Sequence, residues 1–333
     1  MFRKIVVPID TSPLSEQAAW KAGALARSTS ASVYLLHVYE PPFEAVDGGR
    51  VRDAGLLALD RAQKERHVRL VAHNIQDFFG CAVHLAILNG LPIDAIKQYV
   101  RDERADLIVM STHGRTGMSR VWFGSVADTL ARESSVPVLL VRPPDGETIL
   151  PHAEHAEHAP AFHRVLIALD GSDTSAGILE TVRAMSVLGD VHFLLVEVVR
   201  PVPLPVVDFP DATVMTNAAV DVDATAAVAD KSSAYLSSVA QQLRHDGAAN
   251  VATDVVVAPS TAPAIVALAN AFNADLIALT SHGRGASRLL IGSVGDKILR
   301  GTHCSVLLRR APAGAHPSWS ERVESAELEG AAR

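Results

Sequence analysis

A chain of 333 residues, 48% of them hydrophobic, is long enough to build two ordinary domains and too apolar to be disordered or fibrous. A net charge of -7 and a pI near 6.0 argue against a protein that neutralises many phosphates, so no nucleic acid partner is expected. No apolar run reaches the roughly 18 residues of a membrane span. The greasiest region, 255–272, is interrupted by Pro259, Ser260, Thr261, Pro263 and Asn270, so no membrane partner is expected either.

In chain order, "KIVVPID" is short, β-branched and bounded by turn residues, as a buried parallel strand is. The N-terminus runs straight into it without the apolar core of a secretory signal, and the two cysteines, Cys81 and Cys304, make no disulfide framework. A cytoplasmic location is the expectation, with both thiols as small buried hydrophobes. Ser12 is placed to cap a helix that begins at Pro13 and carries Ala18, Ala22 and Leu25 on one face. "SVYLLHVYE" reads as a second strand, 54–79 as a long helix, "AVHLAIL" as a third strand, and 93–102 as another helix. "DLIVMST" is the fourth strand, 126–133 the last helix and "VPVLLVR" the fifth strand. The proline-rich, polar stretch 143–161 reads as a linker, and 311–333 as a tail or a short docked helix. His152, His155, His158 and His163 recur at a spacing that suits either a solvated linker or, in a helix, a metal ligand set. The segments 40–49 and 201–223 are longer than ordinary connections and read as lids.

The chain is written twice. "FRKIVVPIDTSPLS" at Phe2 returns as "FHRVLIALDGSDTS" at Phe162, and "ADLIVMSTHGR" at Ala105 as "ADLIALTSHGR" at Ala274. "SVPVLLVRPP" at Ser135 returns as "HCSVLLRRAP" at His303. The copies keep their order, so each half is a complete unit of ordinary domain size. Strands alternating with crossover helices predict an α/β fold of two tandem, doubly wound parallel sheets, with domains at 1–142 and 162–310.

In such sheets ligands sit beyond the carboxyl ends of the strands at the switch point, which directs attention to Asp10 and the stretch from Ser111 to Gly114. Gly114 lets the backbone approach a ligand, and Gly124-Ser125 opens the last helix, where free N–H groups and the helix dipole favour an anion. Asp10 is then placed to accept hydrogen bonds from ribose hydroxyls. The structural alternative is a tight turn and a helix start that the fold needs with no ligand, with Asp10 and Asp170 as helix-start acids. His113 and His282 have no Ser, Cys or carboxylate partner at a fixed spacing and read as turn-stabilising rather than catalytic. Arg115 and Arg284 either touch phosphate or face water.

On Asp10 and the spacing Gly114, nine residues, Gly124-Ser125, both halves resemble universal stress protein domains, and the whole resembles a tandem member covering 2–142 and 162–310. The resemblance implies the five-stranded fold of the adenine nucleotide alpha hydrolase type and a bound ATP with Mg²⁺. By the same likeness, Val38 meets adenine through its backbone, Asp10 the ribose, and Gly114, Arg115, Gly124, Ser125 and Val126 the phosphates. Pro8, Ser111 and His113 complete the implied set. Its counterparts in the second half are Asp170, Val198, Gly283, Arg284, Gly292, Ser293 and Val294. This chain departs from the family pattern at Ser111 and Thr280, which stand where the family has its first glycine. It departs again at the gap after Gly283, which is eight residues instead of nine, and at Pro259, which takes the place of Gly90. The first half is therefore expected to be the better site.

The implied function is a nucleotide-dependent stress-response protein with at most slow hydrolysis, since no "GxxxxGK[ST]" loop is present. The alternatives are a nucleotide-free interaction protein of the same fold, or an adenylating enzyme. The latter is suggested only by a faint likeness of "DGSDTS" to a pyrophosphate-binding loop, from which the needed glycine pair is missing. The edges of the last strands are expected to pair, in a homodimer or between the halves of one chain, and a protein partner of unknown identity is implied.

Overall fold

A computed structural model of the chain describes residues 2–40, 54–112, 124–142, 161–186, 190–204, 219–281 and 293–311. The first half runs β1 (Lys4–Pro8), α1 (Pro13–Thr29), β2 (Ser32–Tyr39), α2 (Ala54–Phe79), β3 (Val83–Asn89), α3 (Pro92–Glu103), β4 (Leu107–Ser111), α4 (Ser125–Glu133) and β5 (Val138–Val141). Capping fixes the first helix: the Ser12 hydroxyl accepts from Ser15 N at 3.2 Å, and Pro13 occupies the position where its missing N–H is not needed.

The second half runs β6 (Arg164–Leu169), α5 (Asp173–Ala176), α6 (Ile178–Ser186), β7 (His192–Val199), α7 (Val222–His245), β8 (Asn250–Val257), α8 (Thr261–Phe272), β9 (Leu276–Ser281), α9 (Ser293–Gly301) and β10 (Ser305–Arg310). One difference separates the copies. The helix that is continuous as α1 is broken after Ala176, where Gly177 N reaches back to Thr174 O at 3.1 Å. Carbonyls at such a break need outside donors. Ser175 O takes the Thr280 hydroxyl at 3.2 Å, and Gly177 O takes the Arg309 guanidinium.

The strand order is β3-β2-β1-β4-β5-β10-β9-β6-β7-β8. Each half is thus a doubly wound five-stranded parallel unit. The two units share one sheet, because β5 and β10 pair antiparallel with Leu139 opposite Leu307. The pairing expected within the chain is present, through the edges of β5 and β10. Two apolar layers sandwich this sheet. One, beneath α1, α2, α6 and α7, includes Leu139 and Leu307 together. The other, beneath α3, α4, α8 and α9, includes Leu140, Val306 and Leu308. Both cores therefore run uninterrupted across the seam. Cys81 is buried beside the first of them, and Cys304 is half-buried with its sulfur 3.0 Å from the Thr302 hydroxyl.

Arginines close the seam. Arg142 donates to Thr302 O at 2.5 Å and to Leu299 O, capping the C-terminal end of α9 from the other half. Arg310 reaches Glu133 O, at the end of α4, at 3.4 Å, and Arg132 faces Asp296 across the gap at 3.6 Å. The linker 143–160 and the tail beyond Ala311 lie outside the described residues. Of the four histidines singled out in sequence, only His163 is described, and it faces Asp275 at 3.6 Å.

Candidate functional site

The switch point of the first half lies between β1 and β4, whose neighbours on their other sides are β2 and β5. At the end of β1 the chain turns on Asp10. Its Oδ1 accepts from Ser12 N at 3.0 Å and from the Ser12 hydroxyl, while Asp10 N donates to the Ser15 hydroxyl at 3.3 Å. The carboxylate thus orders the turn and supports the helix start. At the end of β4, Thr112 O accepts from Gly124 N at 3.0 Å, which fixes the place where α4 begins relative to the strand. The N–H groups of its first turn have no intrahelical acceptor, as at any helix start.

These pieces surround a cavity of about 280 Å³. Among the residues predicted for a ligand, Pro8, Asp10, Val38, Ser111, Gly124, Ser125 and Val126 all line it. His113, Gly114 and Arg115 lie outside the described residues, as do Gly283, Arg284 and Gly292. Sequence reasoning did not single out Leu36, Pro92, Ile96 and Met110, which give the cavity its apolar wall. A signal was available: Pro92 and Ile96 share one face of α3 at a spacing of four, directly after a strand.

The second half repeats the turn almost bond for bond. Asp170 Oδ1 accepts from Ser172 N at 3.1 Å and from its hydroxyl at 2.6 Å, and Asp170 N donates to the Ser175 hydroxyl at 3.2 Å. Val198 sits on β7 as Val38 does on β2, packed against the same apolar layer, while Ser293 opens α9 and Val294 follows it, exposed. Two features set this half apart. The hydroxyl of Thr280, which stands where the family has its first glycine, donates to Ser175 O. Pro259 was matched with Gly90, and counted back from the following helix it does match. Counted along the ladder, however, Gly90 N bonds Tyr39 O and Ala258 N bonds Val199 O, so Ala258 is the equivalent and the second half carries one extra residue before its helix.

Two equivalent polar residues beside the two turns, one in each half, carry no signal in sequence. His37, on β2 next to Val38, has its Nδ1 at 2.7 Å from Ile9 O. A carbonyl only accepts, so Nδ1 carries the proton and pins the backbone beside Asp10. The equivalent residue on β7 is Glu197, opposite Leu169 in the ladder. Burial pushes its carboxyl above the usual glutamate range, the Ser232 hydrogen bond opposes that rise, and the Asp170 charge adds to it. Burial also pushes Tyr235 up to about 12, with the charges of Glu197 and Asp170 contributing.

Among the described residues no group of three or more His, Cys, Asp or Glu is arranged to hold a metal ion, and no helix is long and apolar enough to cross a membrane. A cavity at the carboxyl edge of a doubly wound sheet, in a chain that repeats the whole unit, defines a tandem doubly wound α/β protein. The chain belongs to the universal stress protein family, whose sequence profile matches residues 1–142 and 161–310. The universal stress protein MJ0531 of Methanocaldococcus jannaschii is 33% identical over 150 residues, covering 44% of this chain and 86% of that protein. The universal stress protein Rv2005c of Mycobacterium tuberculosis is 27% identical over 212 residues, 62% of each chain. The solved structure of a universal stress protein from Archaeoglobus fulgidus overlays with a TM-score of 0.63 at 18% identity, covering 92% of this chain and 98% of that one, a likeness of fold.

Proposed function

We propose that the first half binds an adenine nucleotide, ATP with Mg²⁺, and that occupancy governs the conformation or partner choice of a stress-response protein, with at most slow hydrolysis. The observation that carries this reading is the cavity of about 280 Å³ that gathers Asp10, Val38, Ser111 and the N-terminus of α4 at the switch point. Val38, Ile96 and Met110 supply an apolar slot for a base. The carboxylate of Asp10 at the cavity wall suits ribose hydroxyls, and the first turn of α4 suits phosphate. Mg²⁺ would be held chiefly by phosphate oxygens and water, its usual manner with nucleotides.

The test uses Asp10→Asn. The amide oxygen keeps both hydrogen bonds from Ser12, while the second acceptor and the charge disappear. In calorimetric titration with ATP and Mg²⁺ the variant should lose at least about tenfold in affinity, the loss of one charge-assisted hydrogen bond. Saturating nucleotide should raise the stability of the unaltered chain by about 2.7 kcal/mol at 100 times Kd. No heat and no thermal shift in the unaltered chain would leave the nucleotide-free interaction protein as the better reading. Multiple-turnover formation of an adenylated product would replace both.

A further inference from the structure

The two halves build the same aspartate turn but support it with different chemistry. In the first, an imidazole N–H donor on β2 holds the backbone at Ile9, with His37 only 5% exposed. In the second, the supporting side chain is an acid. Glu197 lies opposite Leu169, its Oε1 is 3.6 Å from where a Cβ would stand on Gly171, and its Oε2 is buried with no hydrogen-bond partner among the described residues. The hydroxyl of Tyr235 on α7 is likewise buried without a partner. A buried acceptor with no donor is costly as a carboxylate and far less so as a carboxylic acid.

We propose that Glu197 is a positioning residue whose proton sets the Asp170 turn: neutral, it packs against Gly171 and the second ligand edge is assembled; charged, it drives Asp170 out of place. This rests on the nucleotide reading of the first half and extends it to the equivalent edge of the second. The groups facing Glu197 are Asp170 in the turn after β6, the Ser232 hydroxyl and Tyr235 phenol on α7, and the apolar Val255 beside it on β8; Asp173 on α5 acts on Tyr235. The only charge acting on Glu197 among the described residues is that of Asp170, and it has the same sign. A polyphosphate would add more negative charge to the same edge, so its binding is linked to proton uptake.

The experiment titrates ATP and Mg²⁺ into the full chain carrying Asp10→Asn, which weakens the first half so that the two sites separate in the titration, between about pH 5.5 and pH 8. It is repeated with Glu197→Gln added, whose amide is neutral throughout. Relative to the Gln protein, the Glu197 protein should bind up to about tenfold more tightly for each unit the pH falls through the titration. Identical pH profiles would overturn the proposal. Thermal unfolding of the unliganded chain gives a readout independent of nucleotide. A carboxyl raised in the folded state loses stability as pH climbs from the ordinary glutamate range to the raised value, so Glu197→Gln should be the more stable protein at high pH and equal to the parent at low pH. If no nucleotide binds either half but this gap appears, the functional reading fails and the proton-set turn stands. Equal melting at every pH overturns it.

Discussion

Thr11 is held at φ 66°, a left-handed conformation that a β-branched residue avoids, immediately after Asp10; the second half places Gly171 there at φ 72°. The strain sits at the candidate ligand edge of the first half, and in the second half a glycine at the equivalent position relieves it. Replacing Thr11 by Gly should therefore stabilise the chain by up to about 1 kcal/mol, because the Cβ penalty in this region slightly exceeds the backbone entropy that glycine adds to the unfolded chain. Urea denaturation measures this, and a loss of stability would show that the Thr11 side chain contributes more than its strain. The residue scale is where the sequence was most and least legible. Asp10, Gly124 and Ser125 were readable because turn and helix-start chemistry is local. His37 and Glu197 were not, since a polar residue inside an apolar strand declares its partner only when the neighbouring strand's carbonyl is in place.

At the scale of elements, the bounds of the first-half strands and helices follow from periodicity and capping to within two residues of the expectation, as with α2 at Ala54–Phe79. The division of α5 from α6 was invisible, because it is stabilised by Thr280 and Arg309, donors from strands more than a hundred residues away. Gly23 was also passed over. A Cβ there would stand 2.4 Å from the Phe79 ring, so it is the closeness of α1 to α2 that requires glycine within a helix. The same level explains the seam. Arg142 satisfies two terminal carbonyls of α9, and burial depresses its guanidinium pKa, so it is a charge held by hydrogen bonds to neutral acceptors. Arg142→Ala should cost about 2–3 kcal/mol by leaving those carbonyls unsatisfied. Arg310→Ala, which gives up one exposed contact of 3.4 Å, should cost under about 1 kcal/mol. Equal losses in chemical denaturation would mean that the seam does not depend on the buried cap.

For the whole molecule, the ten-stranded sheet has a local two-fold relation built into its centre. Leu139 and Leu307 are equivalents in the internal repeat, and they face each other; Leu140 faces Val306 and Val138 faces Leu308. An antiparallel pair centred on equivalent residues is what a two-fold symmetric dimer of single halves would make, with Leu139 opposite a second Leu139. The chain thus folds a dimer interface into one molecule, and with β5 buried at all four positions, separating the halves would expose an apolar, unpaired edge. Residues 1–142 produced alone should therefore associate through β5. Sedimentation at tens of micromolar, on the order of the dissociation constant of a modest interface, should show a dimer of the half. The intact chain, its β5 and β10 edges already paired, should sediment as a single 35.3 kDa molecule. Leu139→Lys in the isolated half places a charge at the symmetry centre, opposite its own copy, and should return it to a monomer without loss of helix content by circular dichroism. A half that is monomeric before that substitution would mean that the seam owes its stability to the covalent connection and the arginine caps rather than to the strand edge itself.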